Sequence, residues 1–153
     1  MVTVEGFPVY LLGGTADVVE QTAVNVARHH PSLQIAGCHH GYFWDDEQNL
    51  VERIRQSGAR LLFVAITSPK KEIFINKWKD KLNVDFVMGV GGTFDVVAGK
   101  VRRAPLWMQR CGLEWLFRVI QGPRRMWRRY FVTNLAFAGM LIKCRFSKAV
   151  HKK

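Results

Sequence analysis

The chain alternates short apolar runs with longer stretches in which apolar residues recur at helical spacing. Four runs are apolar at consecutive positions, which is typical of parallel strands buried on both faces. They occupy residues 7–12, 33–37, 60–66 and 84–90. The helices between them are predicted at residues 16–30, 46–57 and 69–81. This alternation predicts an α/β fold, a doubly wound, Rossmann-like and mainly parallel sheet of about four strands with right-handed crossovers.

Turn residues mark where two of these helices begin. Thr15 and Ser68 are predicted N-caps, because their hydroxyls can accept hydrogen bonds from first-turn amides. Pro69 suits the first helical position, where its missing N–H is not needed.

From Pro105 onward the pattern turns helical, so residues 1–104 are predicted as an α/β core and residues 105–153 as a helical appendage. The predicted helices lie at residues 106–111, 113–121 and 124–143. The uncharged stretch at residues 130–142 is shorter than the roughly 20 residues a spanning helix needs, so no transmembrane segment is predicted.

Charge divides the chain at about residue 100. Residues 1–99 hold nine Lys and Arg against eleven Asp and Glu, whereas residues 100–153 hold fourteen against the single Glu114. This asymmetry, within a formal net charge of +11, indicates that the second part faces an anionic partner such as phosphate, nucleic acid or acidic lipid. A solvated basic tail is the alternative.

Composition sets the class of protein. A chain of 153 residues that is 48% hydrophobic can form about one folded domain, so global disorder is excluded. Its three cysteines, Cys38, Cys111 and Cys144, cannot form a disulfide framework or a four-cysteine zinc site, which favours a reducing compartment. The first residues lack the basic and apolar segments of a secretory signal, so export is not expected.

Ligands of open α/β sheets bind beyond the carboxyl ends of the strands. After the first strand, Gly13 and Gly14 precede a helix whose amides could hold a phosphate, although a tight turn needs the same glycines. After the third, Lys70 and Lys71 strengthen the positive field of a helix N-terminus, unless they merely face water. Phosphate binding and local structure both remain open for these two turns.

The other two turns are also distinctive. The second carries an imidazole and aromatic cluster at residues 39–44, suited to stacking on a ring or base. Adjacent histidines rarely chelate one metal, so no metal site is predicted. In the fourth, Gly91 and Gly92 allow close approach of a ligand, and Asp95 could accept from sugar hydroxyls or cap a helix. No Ser-His-Asp or Cys-His arrangement and no dinucleotide fingerprint is present.

Together these loops resemble the WecG/TagA/CpsF family of bacterial glycosyltransferases along nearly the whole chain. The matching segments are Leu11-Leu12-Gly13-Gly14, His40-Gly41-Tyr42-Phe43, Ser68-Pro69-Lys70 with Glu72, Gly89-Val90-Gly91-Gly92-Thr93-Phe94-Asp95, Arg103-Ala104-Pro105, Trp107-Met108-Gln109, Gly112-Leu113-Glu114-Trp115 and Pro123-Arg124-Arg125. Each is weak alone, but their combination is specific.

The resemblance implies transfer of N-acetylmannosamine, its uronic acid or another hexose from a UDP-sugar to a polyprenyl-diphosphate-linked saccharide, in cell-surface polysaccharide or teichoic acid synthesis. It implies no cofactor, and a peripheral location on the cytoplasmic face of the bacterial plasma membrane. The implied substrate-binding residues are Gly13, Gly14, His40, Tyr42, Ser68, Lys70, Lys71, Glu72, Gly91, Gly92, Thr93, Phe94, Asp95, Arg103, Arg124, Arg125, Arg128 and Arg129. The arginines suit bidentate phosphate contacts.

Two departures from the family pattern change the activity expected of this chain. The family's proposed general base is an aspartate in an Asp-Gly pair of its N-terminal half, and no residue here matches it. Lys71 stands where the family usually has glutamine. We therefore expect a form equivalent to the C-terminal two-thirds of the family pattern, weakly active or inactive alone, whose activity a separately encoded N-terminal half could restore. A homo-oligomer is the alternative association.

A basic segment interleaved with aromatics also fits a nucleic-acid-binding module. In residues 124–142, however, charges concentrate at the first turns and aromatics lie on one side, as in a helix at a membrane interface. An anionic membrane surface is therefore the predicted partner, and nucleic acid is not. A non-catalytic membrane-associated subunit is the remaining alternative.

Overall fold

The computed structural model describes residues 6–121 and Met140. Its elements are β1 Val9–Gly13, α1 Ala16–His29, β2 Ile35–His39, α2 Glu47–Gln56, β3 Leu61–Ala65, α3 Lys70–Trp78, β4 Phe86–Gly89, α4 Thr93–Val97, α5 Leu106–Arg110 and α6 Glu114–Gln121. Every element predicted before residue 122 is present. Most have somewhat shorter bounds, whereas β2 lies two residues later than predicted, at Ile35–His39 instead of residues 33–37. The helix predicted at residues 124–143 lies outside the described residues, apart from Met140.

The sheet is four-stranded and parallel, in the order β2-β1-β3-β4. This confirms the predicted α/β, Rossmann-like fold. The chain leaves β1 through α1 towards β2, and leaves β3 through α3 towards β4 on the opposite side. The point between the carboxyl ends of β1 and β3, where the strand order reverses, is therefore the expected ligand crevice of the sheet.

Helices cover both faces of this sheet. On one face Leu12, Leu62 and Val64 pack with Ile54 of α2 and Phe74 of α3. On the other face Val9 and Leu11 pack with Val18 and Val19 of α1 and with Phe94 of α4. Each fully buried large apolar side chain contributes about 1.5–3 kcal/mol, so the two layers hold the strand ends in place.

The strand β4 departs from the sequence prediction. The run at residues 84–90 predicts a strand buried on both faces, but Phe86 and Met88 are 51% and 47% exposed. Among the described residues, β4 pairs only with β3, so it forms an edge of the sheet.

Helix starts also differ in detail. Thr15 occupies the predicted N-cap position of α1, but its hydroxyl bonds the Asp17 carboxylate rather than a backbone amide. The N-cap of α3 is Pro69 and the helix begins at Lys70, so the predicted capping role of Ser68 and the predicted first helical position of Pro69 are both wrong. The Ser68 hydroxyl donates instead to the Glu72 carboxylate, at 2.7 Å.

Two compact units divide the chain, Met1–Arg102 and Arg103–Lys153. In the second, Leu113 N donates to Met108 O at 2.8 Å as the chain leaves α5, and Gln109 Nε2 donates to Ala104 O at 2.5 Å. None of the helices in the described part of the chain is long and apolar enough to cross a bilayer.

Candidate functional site

Glycines bring the first two turns into backbone contact. Gly13 has φ +128°, and a Cβ atom at this position would lie 2.4 Å from the Ala65 carbonyl oxygen of β3. Gly14 N donates to Ala65 O at 3.2 Å, and Gly41 N donates to Gly14 O at 2.9 Å. A Cβ atom at Gly41 would lie 3.3 Å from Gly13 Cα. The two turns therefore lie close together at the switch point between β1 and β3.

This geometry refines the role of the first turn. The Gly14 amide is engaged with Ala65, so it supports the turn instead of facing a ligand. The first turn of α1 brings the positive end of the helix dipole to the same place. Substrate binding at Gly13 and Gly14 stays a prediction. It depends on close approach of a ligand to the backbone, which the absence of side chains at these two residues allows.

The second turn separates core aromatics from exposed ones. Phe43 is buried, stacked on Trp44 at 4.9 Å and edge-on to Phe74 at 5.1 Å between ring centroids. Tyr42 is 70% exposed, and its ring lies 6.3 Å from that of His40. Tyr42 is therefore the exposed ring of this turn that can meet a ligand, with the half-buried His40 beside it.

Hydrogen bonds orient His39, the last residue of β2, and His40, which follows it in the turn. The Tyr42 amide donates to His40 Nδ1 at 3.2 Å, so Nδ1 acts as the acceptor and this hydrogen bond orients the ring. His39 Nδ1 lies 2.9 Å from His40 O, and burial lowers the pKa of His39. Among the described residues, no group of three His, Cys, Asp or Glu could hold a metal ion.

Two lysines of α3 leave the third turn in different directions. Lys70 Nζ lies 4.8 Å from the centroid of the Trp44 ring, a cation–π contact with the second turn. The Lys71 side chain is 20% exposed, and its Nζ lies 3.2 Å from Glu72 Oε1. Both lysines thus contact other side chains at the carboxyl edge. For Lys71, which is mostly buried, the alternative that it merely faces water does not hold.

The end of β4 accommodates the Lys71 side chain. A Cβ atom at Gly89 would lie 2.7 Å from Lys71 Cδ and Cε and 2.8 Å from Nζ. A side chain at position 89 would therefore displace the end of Lys71, which carries its charge from α3 across to β4. The hydrogen bond from Ser68 lowers the pKa of Glu72, so the partner of the Lys71 ammonium is ionised at neutral pH.

The fourth turn continues into α4, which the sequence pattern did not predict. Thr93 Oγ1 donates to Val90 O at 2.6 Å. Phe94 is 5% exposed and belongs to the core with α1, so its ring faces away from solvent. Asp95 is half-buried and its carbonyl accepts from the Val101 amide at 3.0 Å. Phe94 therefore does not contact a ligand directly, and any effect it has on substrate binding is indirect, because its packing fixes where the turn lies.

Side chains of α1 hold α4 in place. Thr22 Oγ1 donates to Phe94 O at 3.2 Å, and Asn25 Nδ2 donates to Val97 O at 2.8 Å. The Lys100 ammonium donates to the Asp17 carboxylate in the first turn of α1. These three contacts join the segment after β4 to the segment after β1.

The Asp17–Lys100 pair predicts a pH dependence. The hydrogen bond from Lys100 lowers the pKa of Asp17 from 3.8 to about 2. Because the folded pKa is the lower one, the pair contributes stability above about pH 4, and this contribution is lost as the pH falls towards 2. Lys100→Met is expected to raise the Asp17 midpoint towards 3.8, with part of the lowering retained because Thr15 still donates to this carboxylate; carboxyl carbon NMR measures the change. A midpoint already near 3.8 in the wild-type protein would show that the pair does not form.

Not every predicted site residue can be placed at this edge. Arg103 is exposed and belongs to the second compact unit. Arg124, Arg125, Arg128 and Arg129 lie outside the described residues. Two surface depressions of about 690 and 340 Å³ are lined by residues 44–55 and 77–83, and neither is lined by a predicted substrate-binding residue.

Several residues of this edge were not selected from the sequence. Trp44 belongs to the aromatic turn but was not singled out, and Gly89 carried no signal beyond its glycine-rich surroundings. Asp17 and Lys100 are 83 residues apart, so no local pattern could pair them.

A comparison with protein families adds an independent finding. The model of one family, described as Glycosyl transferase WecG/TagA/CpsF family, matches residues 2–151, nearly the whole chain.

Proposed function

Because the chain belongs to the WecG/TagA/CpsF family of glycosyltransferases, we propose that it transfers a hexose from a UDP-sugar to a polyprenyl-diphosphate-linked saccharide. N-acetylmannosamine or its uronic acid is the proposed sugar, and cell-surface polysaccharide or teichoic acid synthesis is the proposed setting. The observation that carries the proposal is the meeting of glycine turns, a helix N-terminus and Lys71 at the carboxyl edge of the sheet.

The donor is proposed to lie across this edge. Its diphosphate would lie over the Gly13 and Gly14 turn near Lys71, whose ammonium offers charge-assisted hydrogen bonds. The exposed Tyr42 ring is positioned to stack on the uracil, and His40 lies beside it. Glu72 and Asp95 are the carboxylates proposed to accept hydrogen bonds from sugar hydroxyls.

The proposed chemistry separates donor binding from proton abstraction. A general base must come within hydrogen-bond distance of the acceptor hydroxyl. The depressed pKa of Glu72 makes this carboxylate a weak base, and no residue of the chain matches the family's proposed catalytic aspartate. We therefore propose that residues 1–153 bind the donor and that a second, different polypeptide completes the catalytic site.

Calorimetric titration with UDP, followed by turnover with a UDP-sugar and a lipid-linked acceptor analogue, tests both parts. We expect UDP binding with little or no turnover by the chain alone. Absence of UDP binding would contradict the donor site. Robust turnover by the chain alone would contradict only the proposal that the base comes from elsewhere.

The proposed acceptor is linked to a lipid, and residues 103–153 carry a net positive charge. Both properties favour binding to an anionic membrane surface. Leu106 and Trp107 of α5 are 71% and 61% exposed, and Arg103 and Arg110 accompany them on this segment. Exposed apolar side chains together with cations are typical of interfacial helices. We propose that this unit holds the protein against the cytoplasmic leaflet.

Membrane binding is expected to depend on the four arginines of residues 124–129. Changing Arg124, Arg125, Arg128 and Arg129 together to Gln removes four charges, each contributing on the order of 1 kcal/mol near anionic lipid. Cosedimentation with anionic liposomes should fall by at least about tenfold. Deleting residues 124–153 should abolish it, while far-UV circular dichroism still shows the folded sheet.

Neutral liposomes and duplex DNA are the controls for this prediction. The wild-type protein should bind neutral liposomes weakly, and duplex DNA should not displace it from anionic liposomes at physiological salt. Displacement by DNA, or unchanged binding after the substitutions, would contradict the proposed membrane surface.

A further inference from the structure

The edge of β4 that faces away from β3 has the features of an edge that can pair with a further strand. Among the described residues, its backbone pairs with β3 alone. Edge strands are usually protected by proline, lysine or a bulge, because an open edge is a template for pairing. The segment Phe86–Gly89 has none of these, and Phe86 and Met88 are 51% and 47% exposed.

The backbone groups available at this edge follow from the register of β4. Phe86 N donates to Arg60 O at 3.2 Å, and Val90 N donates to Val64 O at 3.0 Å. Because N–H and C=O groups alternate in direction along a strand, those of Val87 and Gly89 point away from β3. The edge therefore presents a donor and an acceptor at Val87.

We propose that this edge pairs with the same edge of a second copy of the chain, antiparallel about a two-fold axis at Val87. Val87 then faces Val87 of the partner subunit as a hydrogen-bonded pair, in which each amide donates to the other's carbonyl. The four described strands of each copy then join into one continuous sheet. The interface is isologous, as in most soluble homodimers.

Side-chain complementarity selects this register. With Val87 on the axis, Phe86 faces the partner's Met88 as a non-hydrogen-bonded pair, the arrangement in which side chains approach most closely. Both residues lie on the sheet face of Leu61 and Phe63, because these are their partners in the ladder. The four exposed apolar side chains of two copies thus cover one another.

Charge complementarity supports the same arrangement on the other face. The register places Gly89 opposite Asp85 of the partner subunit. Lys71 Nζ lies over Gly89, 2.8 Å from where a Cβ atom would be. In the single chain the Asp85 carboxylate, which is 57% exposed, accepts a hydrogen bond from Arg60 Nε. The Lys71 ammonium likewise contacts Glu72. In the proposed dimer, the partner's Asp85 adds a second carboxylate near the Lys71 ammonium at each end of the interface.

Sedimentation velocity of the full chain over a wide range of concentration tests the proposal. We expect a reversible dimer. Val87→Pro removes the outward amide without removing a hydrogen bond to β3, and should raise the dimer dissociation constant by about tenfold or more, since two hydrogen bonds are lost per dimer. A wild-type chain that stays monomeric at every concentration would overturn the proposal.

A matched pair of lysine substitutions controls for general surface effects. Phe86 and Val24 are each 51% exposed, but Val24 lies on α1. Phe86→Lys should give a monomer with an unchanged circular dichroism spectrum, whereas Val24→Lys should dimerise like the wild type. Equal dimerisation of both variants would show that the β4 edge is not the interface.

Cysteine cross-linking tests the register and does not require Val87→Pro to fold. In a background with Cys38, Cys111 and Cys144 changed to Ala, Phe86→Cys and Met88→Cys are prepared separately. Oxidation of the mixture should give a disulfide-linked dimer, because the register places position 86 opposite position 88. Little should form with either variant alone. Equal cross-linking by a single variant, or none by the mixture, would overturn the proposed pairing.

Discussion

Gly13→Ala is expected to lower the free energy of unfolding by roughly 3–5 kcal/mol. The native φ of +128° lies in a region that an alanine rarely adopts, and the added Cβ would lie 2.4 Å from the Ala65 carbonyl oxygen. That carbonyl belongs to the central strand β3 and cannot move aside without breaking its ladder. Urea denaturation followed by circular dichroism measures the loss.

Gly58→Ala is the control for this substitution. Gly58 also has a positive φ, +68°, but no atom lies within 4 Å of a Cβ built on it. Its substitution should therefore cost only the backbone strain, about 1–2 kcal/mol. Equal losses for the two variants would show that the contact between β1 and β3 at Gly13 is looser than described.

Lys71→Met is expected to weaken UDP binding by about tenfold or more. The substitution removes the ammonium and its charge-assisted hydrogen bonds, each typically contributing about 1.5–3 kcal/mol, but it keeps an unbranched side chain over Gly89. The free energy of unfolding should change little, because the Lys71 contact with Glu72 is a partly exposed ion pair. Calorimetric titration with UDP gives the change in affinity.

Two comparisons make this result specific to position 71. Lys79→Met removes a charge from the exposed C-cap of the same helix and should leave UDP affinity within about twofold, since exposed charges act weakly at a distance. Lys71→Gln installs the residue usual in the family and should also weaken UDP binding. Equal effects at positions 71 and 79 would indicate only a general electrostatic attraction.

Local sequence was sufficient to predict the fold class. Consecutive apolar residues at 7–12 and 60–66 predicted the strands β1 and β3, because a strand buried on both faces needs apolar side chains at every position. The short helix α4 escaped prediction, since five residues after a pair of glycines form less than two turns and carry no amphipathic period. Burial of β4 was overestimated, because hydropathy does not show which strand lies at an edge.

Prediction of the candidate site was partly possible for a topological reason. Parallel strands end at one edge, so turn residues that are distant in sequence, such as Gly14 and Lys70, had to lie along the same rim. Their partners could not be predicted. The contact of Lys70 with the Trp44 ring and the position of Lys71 over Gly89 depend on the directions of side chains from different elements.

The sequence by itself determined the alternation of strands and helices, the carboxyl edge at which the turns gather, and the family, because hydrophobic periodicity and glycine positions act locally along the chain. Only the tertiary structure decided which residues pack against each glycine, that Phe94 belongs to the core, that Asp17 contacts Lys100, and that β4 pairs with β3 alone among the described strands. These features depend on contacts between residues that are far apart in sequence, and such contacts form only when the strands have assembled in their order within the sheet.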